Sequence, residues 1–278
     1  MVLGVDVGGS TTKIVGFSGA DLVGTLQVRA ADQITSLYGA IGNFLRKYGK
    51  SLNDVSQIAL TGVGASFIDE PIYGIETRKV DEFLAVGHGA LHLTGLKEAL
   101  VMSLGTGTAI VRAAEDGITH IGGSGVGGGT ILGLASRMIG KGDIDAILAL
   151  AEDGRLENVD LSVRDILGGD IPSLPPNLTA SNFGKIKSTA SEADLALGIV
   201  NMVFQTAGML AVFAAQRDTI RDVVMIGMLS TFPQAMGIHK SFHPLSGLNF
   251  IIPEHSVFAT AIGAASRDFG VSVSGDLV

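Results

Sequence analysis

The residues best suited to chemistry fall in short glycine-rich clusters. In Asp6-Val7-Gly8-Gly9-Ser10-Thr11-Thr12-Lys13, glycines at a strand-to-strand turn let backbone N–H groups approach anionic oxygens without interference from a Cβ. Ser10, Thr11 and Lys13 add donors to that corner. Asp6 ends the preceding strand, where a carboxylate can hold Mg²⁺ directly or through water. A plain Gly-Gly hairpin with an exposed Asp6 fits the same residues. Ser103-Leu104-Gly105-Thr106-Gly107-Thr108 repeats the arrangement of strand, glycine turn and hydroxyls. One such turn says little, whereas two can clamp a phosphate chain from both sides. The run GGSGVGGGT ends in Gly127, Gly128, Gly129 and Thr130 and enters a helix. There the amides and the helix N-terminus both favour an anion. The setting is not that of a dinucleotide-binding turn, and no GxxxxGK[ST] loop is present. Leu60-Thr61-Gly62-Val63-Gly64-Ala65 is another strand end with glycines and reads equally as a hinge or a turn. In Val80-Asp81-Glu82-Phe83 a carboxylate sits on the first turn of a helix, and by spacing alone it is a cap or a solvated charge.

These clusters need elements to hold them. The runs 1–7 and 11–17 read as a β-hairpin around the Gly8-Gly9-Ser10 turn, and 22–28 extends it to a meander. A helix is expected over 36–47, with Leu37, Ile41 and Leu45 on one face, then a strand at 57–62 and a helix from 80 to about 92. The second half opens the same way, with strands at 100–103, 108–112 and 118–121 and then the glycine-rich helix start. This is an internal duplication visible as architecture. Later come 163–169, a Pro-rich loop at 171–176, a long apolar helix, strands at 222–227 and 248–253, and a last helix at 257–267.

Composition narrows the function classes. Hydrophobic residues make up 46% of the 278 and charged residues 17%, enough apolar material for two packed lobes and too little charge for disorder. A net charge of −8 argues against general nucleic-acid binding, since phosphates demand a positive surface. The absence of cysteine removes disulfides, thiolate metal sites and cysteine nucleophiles, and suits a reducing cytoplasm. The opening MVLGVDVGGS has neither the basic nor the apolar region of a signal peptide, so a cytoplasmic location is expected. Scattered histidines and no HExxH disfavour a metal-dependent hydrolase. The stretch 195–215 is apolar enough to suggest a membrane span. Asn201, Gln205 and Thr206 inside it, Glu192 and Asp194 before it and Arg217 after it read instead as a capped, buried helix. Its all-round apolar character suits a central helix or one buried against a second subunit.

In order along the chain, DVGGSTTK, TGVGA, VDEF, SLGTGT, GGSGVGGGTILGL, VRDI, LTASNFG, VVMIG and VFATAIGA resemble the motifs of type II pantothenate kinases. These are the eukaryotic-like and staphylococcal-like branch of the sugar-kinase/Hsp70/actin superfamily. The resemblance covers nearly the whole chain, and GGxGxGGGxxxGL followed by TxxNFG is its most specific part. It implies an α/β, actin-like ATPase fold of the ribonuclease H-like kind, with duplicated βββαβαβα lobes. The lobes span 1–93 and 94–278 and flank a cleft. It also implies ATP and Mg²⁺, a homodimer, and phosphorylation of the primary hydroxyl of pantothenate, the first step of coenzyme A biosynthesis.

Carried over residue by residue, Glu82 becomes the catalytic base. Asp6 lies near Mg²⁺, Gly8, Gly9, Ser10 and Thr11 form the first phosphate hairpin, and Lys13 lies near phosphate. Ser103, Gly105, Thr106 and Gly107 form the second hairpin, near the substrate and the transferred phosphate. Gly127, Gly128, Gly129, Thr130 and Gly227 become nucleotide contacts, and Asn182 and Phe183 border the nucleotide. His120 stands where relatives carry an arginine that contacts the pantothenate carboxylate. A neutral imidazole cannot make that bidentate fork, so Arg112 or Arg78 takes the role, or the acceptor lacks the carboxylate, as pantetheine does. The alternatives to a pantothenate kinase are a kinase of pantetheine or an amino sugar on the same fold, and a non-enzymatic nucleotide-binding regulator.

Overall fold

The computed structural model describes residues 1–30, 32–167, 178–216 and 219–266. β1 (Val2–Val7), β2 (Thr11–Ser18) and β3 (Asp21–Arg29) form the expected antiparallel meander. α1 (Gln33–Lys47) starts where the Asp32 carboxylate accepts from the Thr35 N–H at 2.7 Å, a side-chain cap for an otherwise orphaned amide. β4 (Gln57–Thr61) pairs in parallel with β1, and β5 (Thr77–Lys79) with β4. α2 (Glu82–Thr94) follows.

The second half is built alike from β6 (Glu98–Leu104), β7 (Thr108–Ala114) and β8 (Gly117–Ser124). A long excursion then carries α3 (Gly128–Met138), α4 (Ile144–Glu152), β9 (Leu161–Ser162), α5 (Val163–Leu167), β10 (Thr179–Ser181) and α6 (Glu192–Ala215). β11 (Asp222–Ile226) returns in parallel to β6, α7 (Pro233–Lys240) and α8 (His243–Ser246) follow, β12 (Asn249–Ile251) pairs with β11, and α9 (Ala259–Ala265) comes last. The strand orders are β3-β2-β1-β4-β5 and β8-β7-β6-β11-β12. Each sheet is thus a meander whose first strand continues into two parallel strands, and the expected duplication is present in topology.

Three differences from the sequence reading have local causes. α4 lies where no element is expected, although Asp143 caps it by accepting from Ala146 N–H at 3.1 Å. β12 stops before Pro253, which has no N–H for a ladder. The last helix begins at Ala259 because Ser256–Phe258 forms a separate 3-10 turn. The Pro-rich loop 171–176, Gly168, Gly169, Arg217 and Arg267 lie outside the described residues.

The layers run α1, first sheet, α2 with α9, second sheet, then α3, α4, α6 and α7. Leu3, Val5, Ile14 and Leu60 pack on α1 through Leu37, Ile41 and Phe44. On the other face, Ala59 meets Ala85 and Ala264, and Val15 meets Ala261 and Ile262. Val101, Val111, Val224 and Ile226 of the second sheet meet Val86, Ala90 and Ala259. α6 is long and apolar enough to cross a membrane, with a mean hydropathy of 1.8. More than half of that window is buried, 56%, and it packs on the second sheet beside α3 and α4.

Glycine sets the spacing of the middle layer. A Cβ built at Gly89 would lie 1.9 Å from the carbonyl oxygen of Ala259, one at Gly263 1.9 Å from that of Ala85, and one at Gly4 2.0 Å from that of Ala261. α2, α9 and β1 therefore touch backbone to backbone. Gly89→Ala should force this layer apart and cost about 1–3 kcal/mol, several degrees in Tm. Gly39→Ala, on the exposed side of α1 with open space at its Cβ, should leave Tm level or raise it. Thermal unfolding of the two variants checks the contrast.

Candidate active site

A row of side chains crosses the edge of the first sheet. Lys13 pairs with Asp6 across β2 and β1, and Asp6 with Thr61 across β1 and β4. The Val80 N–H donates to the Leu60 carbonyl at 2.8 Å, which delivers the chain to Asp81 and Glu82 just beyond that row. Asp81 caps α2, accepting from the Phe83 and Leu84 N–H groups at 2.9 and 3.0 Å. The cap role thus belongs to Asp81 and leaves Glu82 available. Asp6 is not the exposed residue of a plain hairpin: it is 6% exposed, and its Oδ2 accepts from Lys13 Nζ at 3.3 Å.

Glu82 keeps solvent access at the rim, yet its pKa is pushed above the ordinary glutamate value. Partial burial is the first cause, and the negative charges of Asp6 and Asp81 add to it, while Lys13 opposes them. Glu82, Asp6 and Lys13 therefore lie within electrostatic reach of one another. Phe83, the next residue, stacks on His120 of β8 with ring centroids 3.8 Å apart and planes 9° from parallel. The start of α2 thus spans from the first sheet to the second, and Glu82 stands at their junction.

The two sheets end in matching corners. Gly62 follows β4 with φ +87°, and a Cβ there would lie 2.6 Å from Asp6 Oδ1 and 2.7 Å from the Val7 carbonyl. Gly227 follows β11 with φ +90°, and its Cβ would lie 2.5 Å from the Leu104 carbonyl. Only glycine suits this backbone at such an approach. Gly8, Gly9, Ser10 and Thr11 turn after Val7, with Gly8 N–H donating to the Thr11 carbonyl at 3.0 Å. Gly105, Thr106 and Gly107 turn after Leu104, with Gly105 N–H donating to the Gly107 carbonyl at 3.0 Å. Ser103 occupies the place in β6 that Asp6 has in β1, so the second corner carries no carboxylate.

The glycine-rich run needs correction. Gly128 and Gly129 N–H groups donate to the Gly105 and Thr106 carbonyls at 2.9 and 3.0 Å. These two amides are therefore engaged with the second hairpin and do not face an anion. Thr130 Oγ1 accepts from Gly127 N–H at 3.2 Å and donates to the Gly125 carbonyl. Space explains much of the glycine content, since a Cβ at Gly127 would lie 2.5 Å from the Thr106 carbonyl and one at Gly123 2.5 Å from that of Thr108.

The cation expectations also change. Arg112 is paired with Asp116 at 2.7 Å, about 13 Å along the strand from the second turn. Arg78 donates to the carbonyls of Ala264 and Ser266 at 2.6 and 3.2 Å and so caps the end of α9. Each guanidinium is therefore engaged by an acceptor of the protein itself. Phe183 sits in a separate network. Its N–H donates at 2.8 Å to Asp160, which is 4% exposed and also accepts from Asn201 at 2.8 Å and Asn182 at 3.4 Å. Sequence reading missed Asp160. Asn201 within an apolar helix was its only signal, since a buried amide demands a partner.

A family model described as Fumble matches residues 97–266. A type II pantothenate kinase of Bacillus cereus (strain G9842) is 27% identical over 234 residues, covering 81% of this chain and 82% of that one. One from Staphylococcus saprophyticus is 26% identical over 276 residues, covering 95% and 99%. Among solved structures, the activator of the 2-hydroxyisocaproyl-CoA dehydratase from Clostridium difficile, with bound ADPNP, matches with a TM-score of 0.68 at 15% identity, covering 95% of this chain and 92% of that one. At that identity the likeness speaks for the fold, and chemistry has to be argued from the site.

The neighbours of Glu82 give the sign of a test. As the base expected from the sequence, Glu82 would work deprotonated, and activity would fall on the acid side as it gains its proton. Asp6→Asn removes a negative neighbour and lowers the Glu82 pKa, whereas Lys13→Met removes a positive one and raises it. The acid limb of the residual activity–pH profile should move down in the first variant and up in the second. Limbs that stay together would show that another group titrates there.

Proposed function

We propose that this chain, which belongs to the Fumble family, transfers the terminal phosphoryl group of ATP to the primary hydroxyl of pantothenate, the first step of coenzyme A biosynthesis. The observation that carries the reading is Glu82 at the junction of the two sheets, within electrostatic reach of Asp6 and Lys13. Its raised pKa suits a general base working near neutral pH. Glu82 takes the proton of the acceptor hydroxyl as that oxygen bonds to the γ-phosphorus. The bond from that phosphorus to the bridging oxygen breaks, and ADP leaves. Lys13 and the turns at Gly8, Gly9, Ser10 and Thr11 and at Gly105, Thr106 and Gly107 hold phosphate oxygens. Positioning and electrostatic stabilisation do most of the work in phosphoryl transfer. Gly127, Gly128, Gly129, Thr130, Phe183 and Gly227 are proposed to border the nucleotide, the glycines through their Cα surfaces.

Among the described residues no cluster of three or more His, Asp or Glu could hold a metal by itself. Mg²⁺ bound with a nucleotide takes one or two carboxylates plus phosphate oxygens and waters. Asp6, a buried carboxylate with one side-chain donor, fits that requirement. When bound, the ion would neutralise charge on the β- and γ-phosphates.

One observation favours a second reading of the acceptor. Arg78 and Arg112 are held elsewhere, and the ring beside Glu82 is the stacked His120. The acceptor side is therefore proposed to lack the bidentate cation that a carboxylate calls for, which suits pantetheine, whose far end carries no carboxylate. The same fold also admits an amino-sugar kinase or a regulator that binds nucleotide without turnover. The chain is proposed to be cytoplasmic and homodimeric. α6 supports the dimer, because Met202, Thr206, Met209 and Phe213 recur at helical spacing on its partly exposed side, with Phe213 56% exposed.

An ADP-release assay with pantothenate and pantetheine tests both levels. Acceptor-stimulated release is expected, lowered about 10²- to 10⁴-fold by Glu82→Gln with nucleotide affinity retained. His120→Arg should shift the kcat/KM ratio toward pantothenate. Nucleotide binding without acceptor-stimulated release would favour the regulator. For the dimer, light scattering should give twice the chain mass, and half that value in Phe213→Asp.

A further inference from the structure

Thr61 belongs to the one glycine-bearing strand end to which the reaction above gives no role. Its side chain is fully buried, at 0% exposure, and its Oγ1 has no hydrogen-bond partner. Leaving a buried hydroxyl unbonded is destabilising, and such a group needs a reason.

Its position supplies one. Alternation along β4 puts Thr61 on the face of Ala59, which packs on Ala85 and Ala264. Alternation along β1 puts Asp6 on the face of Gly4, which abuts Ala261. Thr61 and Asp6 are partners in register, so the two side chains stand next to each other under α2 and α9. The following strand is tied to β4 by the Val80 N–H and leads straight to Glu82. Thr61 thus lies between the carboxylate of Asp6 and the start of the helix that bears Glu82. Among the described residues Asp6 accepts a hydrogen bond from Lys13 alone, at Oδ2.

We propose that Thr61 is a positioning residue for Asp6. Rotation about χ1 between staggered wells brings its hydroxyl into a hydrogen bond with the Asp6 carboxylate. That bond fixes which oxygen Asp6 turns toward Mg²⁺ and the nucleotide. The proposal rests on the reading of Asp6 as the Mg²⁺ carboxylate, and the experiment separates the two.

Thr61→Val keeps the β-branched shape and removes the hydroxyl, and Thr61→Ser keeps the hydroxyl. Thr12→Val is the control, because Thr12 Oγ1 is also buried and unpartnered but lies on the opposite face of the sheet with Val7 and Ile14, toward α1. Two quantities are measured: thermal unfolding of the chain alone, and Mn²⁺ affinity by electron paramagnetic resonance with a non-hydrolysable ATP analogue. Thr61→Val should unfold at or above the wild-type temperature, yet bind Mn²⁺ roughly 10-fold more weakly, the scale of losses seen when groups behind a metal ligand are removed. Thr61→Ser and Thr12→Val should bind Mn²⁺ as the wild type does. Thr61→Val with wild-type Mn²⁺ affinity, whatever its Tm, overturns the proposal. In that case loss of Mn²⁺ in Asp6→Asn leaves the Asp6 reading standing. Wild-type protein that binds the analogue without Mn²⁺, or Asp6→Asn that binds Mn²⁺ undiminished, overturns both.

Discussion

Backbone contact between α2 and α9 is the constraint on which the rest of this molecule depends. Gly89 and Gly263 leave no side chain between the helices, and Gly4 lets β1 press against the same layer. Helices usually pack 8–10 Å apart, and glycine at the crossing sets the near end of that range. A thin middle layer brings the first sheet close to the second. Only then can one turn of helix carry Glu82 beside Asp6 while its next residue, Phe83, lies flat on His120 of the other sheet.

The duplication is strict in backbone and loose in charge. Both sheets have the same strand order, and both place a glycine of positive φ against the carbonyl that ends the central strand, Gly62 on Val7 and Gly227 on Leu104. Yet Asp6 faces Lys13 across one hairpin while Ser103 faces Ala109 across the other. The first corner is therefore ionic. The second is a neutral assembly of amides and hydroxyls, and two of its carbonyls are engaged by the start of α3. Such a division suits a ligand that is most highly charged at one end.

Local chemistry made the framework legible. Glycine turns between alternating strands announce hairpins, and their recurrence revealed the duplication. Asp81-Glu82 showed that a carboxylate opens a helix, but which of the two caps it depends on geometry that spacing does not encode. What the sequence hid is long-range. Arg112 looked available until Asp116 caught it across a turn, and Arg78 until the end of α9 reached it from 186 residues away. The run of glycines resembled an anion cradle, although Gly123 and Gly127 are there because the second hairpin leaves them no room. Short elements such as β5, β9 and β10 have little propensity of their own and take shape from their neighbours.

The order of elements along the chain also bears on biosynthesis. α9 is the last described element to emerge from the ribosome, yet it covers the face of the first sheet around Gly4, Val15 and Ala59. That face stays open while nearly two hundred further residues are made. The first half can bury its α1 side early, but it cannot close its own core. Productive folding of the first sheet is therefore held back until α9 has been made, and during that interval an apolar sheet surface is exposed to chaperones and to other nascent chains.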